Sequence, residues 1–438
     1  MTTFRNAETL ALHAGPRMDP TTGAVAVPIY QTTAFQFRDT EHAASLFSLQ
    51  EIGHIYSRIT NPTCDALEQK MAALEGGVMA MGVSSGQAAT ALAMQNICGA
   101  GDNIVVSTDI YGGTWNLFAH TFKNMGIEAR FVDPANPEAF RKATDKRTRA
   151  YYAESLPNPK LTMFPIGEVA RIGRELGVPL IMDNTACPVI CKPFDHGAAI
   201  IVHSTTKYIG GHGTSIGGVI IDGGNFDWEK HAVRFPMLNQ PDPSYHGVVW
   251  TEAVKPLGPI AYLLKARATL QRDFGMSMSP FNAFQFIQGL ETLALRMREH
   301  SRNATAIAEY LSKHGSVSRV IHPGFHRHAE LQRRTATYLK GGMGGLVGFE
   351  MKGGMDAGKR FIDSLKMFYH VANIGDVRSL AIHPASTTHS QLTEADQLAT
   401  GVTPGYIRLS VGIEHIDDII ADLDQALAQA TVKRAKAA

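Results

Sequence analysis

Between residues 103 and 221 the chain keeps returning to one pattern: a short apolar run of strand length, then a helical stretch or loop, then another apolar run. Segments 103–107, 128–132, 150–153, 179–182, 200–203 and 218–221 read as strands. Segments 87–97, 114–125 and 166–176 read as helices, as does the stretch after Pro62, where Leu67, Met71 and Leu74 share a face before Gly76-Gly77 ends it. Runs this apolar imply strands buried on both faces. A chain achieves that with a mostly parallel sheet whose crossover helices cover it, an α/β architecture. In such sheets chemistry collects just beyond the carboxyl ends of the strands.

The flanks differ. Residues 1–62 read as an irregular arm, broken by Pro16, Pro20, Gly23 and Pro28, with 33–37 its only strand-like piece. An extended arm needs a surface to lie on, often another subunit. Segment 225–262 is irregular and rich in Pro and aromatics (Trp228, Phe235, Tyr245, Trp250), which suits a lid or an interface. Beyond it, 281–313 reads as one long helical stretch. Strands follow at 317–321, 345–351 and 406–411, with helices near 356–367 and 415–430. The expected division is an arm (1–62), a large domain (63–270) and a smaller α+β C-terminal domain (271–438).

Composition narrows the function classes. The formal net charge is +1, so no overall field draws the chain to nucleic acid or an anionic membrane. No apolar run is long enough to span a bilayer. Residues 1–15 carry Arg5, Glu8 and His13 and no apolar leader stretch. The four cysteines read as reduced thiols, and the expected location is the cytoplasm. Cys187 and Cys191 lack a nearby histidine pair, so no metal is expected. The glycine runs fail as nucleotide motifs. Gly211-His212-Gly213 meets Ile216 where a third glycine is needed, Gly342-Met343-Gly344 meets Val347, and Gly358-Lys359 continues to Arg360 rather than Ser or Thr.

What remains is a set of residues at strand ends. Lys207 lies just past segment 200–203, in His203-Ser204-Thr205-Thr206-Lys207-Tyr208. Alone it reads as a surface lysine. Asp183, however, ends the preceding apolar run, so the two side chains come to one edge of the sheet. That pairing suits pyridoxal phosphate (PLP). A carboxylate keeps its pyridine nitrogen protonated, and a lysine of depressed pKa forms the imine and moves protons. Ser204 and Thr206 can donate hydroxyls to a phosphate. Gly86 and Gln87 open a helix whose first amides are unpaired, and the helix dipole favours an anion there. Tyr111 follows strand 103–107 and is placed to lie flat on a pyridine ring.

With these residues in place the chain resembles the Cys/Met-metabolism family of PLP-dependent enzymes. The carrying motifs occur in family order: Tyr56-Ser57-Arg58-Ile59-Thr60-Asn61-Pro62-Thr63, Ser84 to Ala89, Tyr111-Gly112-Gly113-Thr114, Ser155-Leu156-Pro157-Asn158-Pro159, Asp183-Asn184-Thr185, Ser204 to Gly211, Ser379-Leu380-Ala381-Ile382-His383-Pro384 and Arg408-Leu409-Ser410-Val411-Gly412. The resemblance implies the fold type I, aspartate-aminotransferase-like architecture with a seven-stranded sheet. It makes Lys207 the imine lysine, Asp183 the partner of the pyridine nitrogen with Thr185 beside it, and Tyr111 the stacking ring and a catalytic residue whose hydroxyl would assist the departing group. It gives the phosphate to Gly86, Gln87, Ser204 and Thr206. Tyr56 and Arg58 would reach the phosphate of a neighbouring subunit, Tyr56 also bordering substrate, which implies a homo-oligomer and commonly a tetramer. Asn158 would border the ring and the substrate, and Arg408, helped by Ser379, would clamp the substrate carboxylate. Read without the family, Arg408 is a cross-strand salt bridge. One departure is Gln87, where the family often carries Met.

The family eliminates or replaces groups at the γ- or β-carbon of amino acids. Val27 to Thr33, Ala44-Ser45-Leu46-Phe47, Tyr111 to Phe118 and Phe284 to Thr292 resemble the O-acetylhomoserine sulfhydrylase branch. The expected reaction is γ-replacement of acetate by sulfide or methanethiol. O-succinylhomoserine sulfhydrylase, cystathionine γ-synthase and methionine γ-lyase chemistry are the alternatives within the family. A non-catalytic protein on the same scaffold would have lost Lys207 or Asp183, and both are present.

Overall fold

The computed structural model describes residues 4–48, 50–51, 53–391 and 393–431. At its centre is a seven-stranded sheet made of β1 (Met79–Val83), β2 (Asn103–Ser107), β3 (Glu128–Val132), β4 (Thr148–Glu154), β5 (Leu180–Asp183), β6 (Ile200–Ser204) and β7 (Gly218–Asp222), in the spatial order β1-β7-β6-β5-β4-β2-β3. Strands β6, β5, β4, β2 and β3 run parallel, and β7 is antiparallel to both neighbours. β1 therefore runs with β6, and the carboxyl ends of every strand but β7 share one edge.

Side chains alternate across this sheet into two cores. Tyr151 and Ala153 of β4 join Leu180, Met182 and Ile201 on one face. Ala150 and Tyr152 join Ile181, Ile200 and Val202 on the other. Both faces are dry, as the unbroken apolar runs require.

Four helices frame the amino-terminal part: α1 (Ala7–His13), α2 (Thr40–Phe47), α3 (Pro62–Glu75) and α4 (Gly86–Gln95). α3 has the ends its sequence dictates. Asn61 caps it by accepting from Thr63 N at 3.0 Å, Pro62 fills the first turn, and Gly76 leaves it at φ 85°. The arm is less irregular than expected. α1 docks on α3, where the buried Lys70 amine donates to the carbonyls of Ala11 and Leu12 at 3.0 and 2.9 Å. Asp39 caps α2 through His42 N at 2.7 Å. The prolines fall between these helices and so do not break them. Segment 33–37 forms no strand, only a bridge from Ala34 to Tyr56.

Other boundaries moved for physical reasons. β1 was not foreseen because Met79-Ala80-Met81 is helix-forming sequence whose strand pairing comes from β7. The 114–125 helix starts earlier, as Gly112–Asn116, and widens into a π-helical stretch, Leu117–Phe122. The stretch 281–313 is two helices, Pro280–Glu291 and Leu293–Lys313, meeting at Thr292. Segment 225–262 is a covering layer: Trp228, Phe235, Trp250 and Tyr262 are buried against the sheet face that holds Ile181 and Ile220.

A second sheet comprises β8 (Val317–Ile321), β9 (Leu346–Met351), β10 (Tyr369–His370), β11 (Leu380–Ile382) and β12 (Tyr406–Ser410), in the order β10-β11-β12-β9-β8. Helices Leu293–Lys313, Gly354–Ser364 and Ile416–Thr431 pack on it through Ile307, Phe361 and Leu423. The two-residue β10 and three-residue β11 are too short to announce themselves by periodicity.

Candidate active site

β5 ends on Asp183 and β6 on Ser204, in adjacent parallel strands. Thr185 ties the two ends together. Its amide donates to Asp183 Oδ1 at 2.9 Å, and its hydroxyl accepts from Ser204 N at 2.8 Å. Burial pushes the Asp183 carboxyl up, while hydrogen bonds from Thr185 and Tyr152 and the nearby His203 hold it down. Burial wins, so the carboxyl sits above its ordinary range, and a cationic partner would favour its charged form. Behind the edge, His203 Nε2 lies 2.9 Å from Glu75 Oε1, with both side chains fully buried, and Asn184 Nδ2 reaches the same oxygen at 3.4 Å. Burial opposes the Glu75 charge, but Lys192, His203 and Asn184 outweigh it and hold the carboxyl below its ordinary range.

Lys207 sits on the turn after β6, its carbonyl accepting from Gly211 N at 2.8 Å. Its Nζ donates to Asn373 Oδ1 at 2.5 Å. Burial, followed by the charge of Arg408, pushes the Lys207 amine below its ordinary pKa. Arg408, from β12, is 9% exposed, and its Nη2 donates to the Asn373 carbonyl at 2.9 Å. Among the described residues it pairs with no carboxylate, and its buried Nε has no partner. The cross-strand salt bridge is therefore not formed, and the guanidinium is left with donors to spend on an anion. One residue, Asn373, thus touches both cations.

On the other flank, Ser85 caps α4 by accepting from Ala88 N at 3.1 Å, so the Gly86 and Gln87 amides open the helix without intrahelical partners. A Cβ on Gly86 would lie 2.6 Å from Ser204 Cβ, so only glycine lets the helix start approach the end of β6. Thr206 Oγ1 turns to Gly217, accepting from its N at 3.1 Å and lying 3.3 Å from its carbonyl. Gln87 Oε1 accepts from the Thr114 hydroxyl at 3.2 Å. The Tyr111 ring folds over Gly113, its Cε1 2.5 Å from where a Cβ would stand, beside the Gln87 amide. It is 60% exposed, free to cover a ring-shaped ligand.

Tyr56, Arg58 and Ser379 stand apart from this cluster. Tyr56 and Arg58 pair with each other on the arm, the guanidinium 5.0 Å from the ring centroid, and no hydrogen bond among the described residues joins them to Lys207 or Asp183. Ser379 is buried, its hydroxyl donating to Glu414 Oε2 and accepting from Gly412 N, both at 2.9 Å. It braces the turn after β12, while the register partner of Arg408 on β11 is Ile382, three residues further on. Asn158 has a buried Oδ1 with no partner, the kind of orphan a ligand satisfies.

Sequence reading passed over Asn373 and Glu154. Asn373 has no neighbouring motif to flag it. Glu154 could have been found by the signal that found Asp183, a carboxylate closing an apolar strand.

Together these residues fit pyridoxal phosphate: a buried carboxyl for the ring nitrogen, an amine of depressed pKa, a glycine-opened helix start with serine beside it for the phosphate, and unsatisfied donors on Arg408.

The model of the Cys/Met metabolism PLP-dependent enzyme family matches residues 8–428. A protein from Leptospira meyeri named O-acetyl-L-homoserine sulfhydrylase is 53% identical over 426 residues, covering 96% of each chain. The homocysteine/cysteine synthase of Saccharomyces cerevisiae is 44% identical over 433 residues, covering 96% of this chain and 97% of its own. A crystal structure from Campylobacter jejuni, described as an O-acetylhomoserine (thiol)-lyase with one lysine carried as pyridoxyl-lysine phosphate, superposes with a TM-score of 0.91 at 41% identity, covering 97% of this chain and 100% of that one. The matched span takes in every strand of both sheets and each residue of the cluster, and this chain belongs to the Cys/Met metabolism PLP-dependent enzymes, with their fold type I architecture.

Proposed function

We propose that the protein replaces the acetate of O-acetyl-L-homoserine with sulfide, or with methanethiol, giving L-homocysteine or methionine. The observation that carries this is the junction at Asn373, which sets an amine of depressed pKa beside a guanidinium that has no carboxylate of its own. An amino-acid substrate supplies that carboxylate, and docking it on Arg408 brings its α- and β-carbons to the lysine. The names of the relatives at 44–53% identity support the choice of ester and nucleophile.

When bound, PLP supplies the electron sink for carbanion chemistry. The rest falls to the chain. Asp183 takes the ring nitrogen, with Thr185 holding its carboxylate. Gly86, Gln87, Ser204 and Thr206 take the phosphate. Lys207 would take the proton off Cα, give it up, and then take one off Cβ, so that acetate can leave Cγ; once sulfide has added at Cγ it would return protons to Cβ and Cα. Arg408 holds the carboxylate through paired donors, with Asn158 bordering ring and substrate and Ser379 bracing the strand behind Arg408. Tyr111 covers the ring. Tyr56 and Arg58 serve the phosphate of a neighbouring subunit, so the working form is a homo-oligomer, a tetramer in this reading, acting in the cytoplasm. Its arm (1–62), large domain (63–270) and C-terminal domain (271–438) divide the labour between subunit contact, cofactor and substrate.

Product analysis with acetyl- and succinyl-homoserine, each offered with sulfide or cysteine, tests the reading. Homocysteine and acetate from the acetyl ester with sulfide are the expected products. No consumption of that ester overturns the assignment. Preference for the succinyl ester, cystathionine as product, or release of 2-oxobutyrate would move the protein to another branch of the family.

A further inference from the structure

Glu154 has no part in the roles given so far, yet it occupies the same edge as Asp183. It is the last residue of β4, and its register partner on β5 is Asp183 itself. Register partners on parallel neighbours project to the same face, so two carboxyls stand side by side at the strand ends. Glu154 also reaches across to the next strand exit, where its Oε1 accepts from the main-chain N of Tyr111 at 2.5 Å. Tyr111 precedes Gly112-Gly113, a pair with little stiffness of its own, and no side-chain cap holds the helix that starts there.

We infer that Glu154 is the positioning residue for Tyr111, its carboxyl pinning the tyrosine main chain so that the ring stays over the cofactor hollow. This rests on the reading of Tyr111 as the covering ring. The groups facing Glu154 bear on how it does so. They are Asp183 on β5 and Asp109 after β2, the latter paired with Lys160 at 2.6 Å, with the Tyr152 hydroxyl 3.5 Å from Asp183. Burial pushes the Glu154 carboxyl well up, and the Asp183 charge pushes it further. Both causes favour the protonated, neutral form of the Glu154 carboxyl. In that form it is a neutral acceptor toward Tyr111 and adds no second negative charge beside Asp183.

Two variants separate the parts of this claim. Glu154→Gln keeps a neutral acceptor of the same length, and Glu154→Ala removes it. The first readout is hydrogen exchange at the Tyr111 amide in the protein without cofactor. Protection is expected in wild type and Glu154→Gln, and exchange at least tenfold faster in Glu154→Ala. The second is the circular dichroism of the visible cofactor band and the pH midpoint of that band. Glu154→Gln should keep the midpoint within about 0.3 unit, and Glu154→Ala should lose at least half of the ellipticity. Unchanged exchange and ellipticity in Glu154→Ala overturn the positioning role. A midpoint lowered by a full unit in Glu154→Gln overturns the neutral carboxyl, because it would mean a negative charge had been removed. Tyr111→Ala is the control: if the band is indifferent to it, the covering role of Tyr111 fails. If Tyr111→Ala alters the band and Glu154→Ala does not, only the present inference fails.

Discussion

Asn373 Oδ1 accepts from Lys207 Nζ at 2.5 Å, while the carbonyl of the same asparagine accepts from Arg408 at 2.9 Å. The side chain serves the amine and the main chain serves the guanidinium. Asn373→Ala should therefore lower kcat by about tenfold, the cost of about 1.4 kcal/mol for one charge-assisted hydrogen bond, and leave KM for the ester within about twofold. Steady-state kinetics measure the split. A rise in KM with kcat unchanged would show that the asparagine acts on substrate binding instead.

Asn373→Asp tests the depressed lysine. Burial and Arg408 hold the amine below its ordinary pKa, so more of it is unprotonated near neutrality. A carboxylate in place of the amide stabilises the ammonium form and opposes that shift. The acid limb of kcat against pH should move to higher pH by about one unit; an acid limb that stays in place would contradict this account of the amine.

Arg408→Lys keeps the charge and loses the paired donors. A single ammonium cannot reach the Asn373 carbonyl and a carboxylate in the same geometry. The expected rise in KM is on the order of 100-fold, equivalent to ~3 kcal/mol for charged hydrogen bonds. Binding of PLP, followed by absorbance titration, should change little, since Arg408 is not among the phosphate or ring contacts.

Gly86→Ala puts a methyl 2.6 Å from Ser204 Cβ and 2.9 Å from its Cα. One neighbour is main chain, so the strand end or the helix start must move. The expected result is a loss of about 1–3 kcal/mol of stability and at least tenfold weaker PLP binding, read by urea unfolding and by cofactor titration.

Glu75 carries a signed pH prediction. Its carboxyl is held below the ordinary range in the fold, so the unfolded chain binds that proton more readily. The stabilisation is complete above the ordinary carboxylate pKa of about 4.3 and is lost as pH falls through the folded value. Between pH 5 and pH 3 the wild type should lose stability more steeply than Glu75→Gln, which should already be weaker at pH 7 by about 1–3 kcal/mol. Urea unfolding across pH checks both.

The features that were legible in the sequence are those written locally. The apolar runs of β2 to β7, the Pro62 start and Gly76 stop of α3, and the strand-end positions of Asp183 and Lys207 all follow from short-range pattern. What escaped depends on contacts made far along the chain. β1 is a strand because β7 pairs with it, against the helical preference of Met79-Ala80-Met81. Segment 225–262 read as a lid or an interface because its aromatics find their burial only against the sheet. Asn373 became visible only when β12 and the turn after β6 came together, 166 residues from Lys207. Ser379 shows the reverse case. Its motif pointed to the substrate, and its hydroxyl is committed to Gly412 and Glu414.

The central claim is that Lys207 is the residue that joins the cofactor. Incubating the protein with PLP, reducing with borohydride, and mapping the digest by mass spectrometry measures this directly. The account predicts a pyridoxyl-phosphate addition on the peptide that contains Lys207, and its disappearance in Lys207→Ala. A stable addition on some other lysine, or none on Lys207, would contradict it.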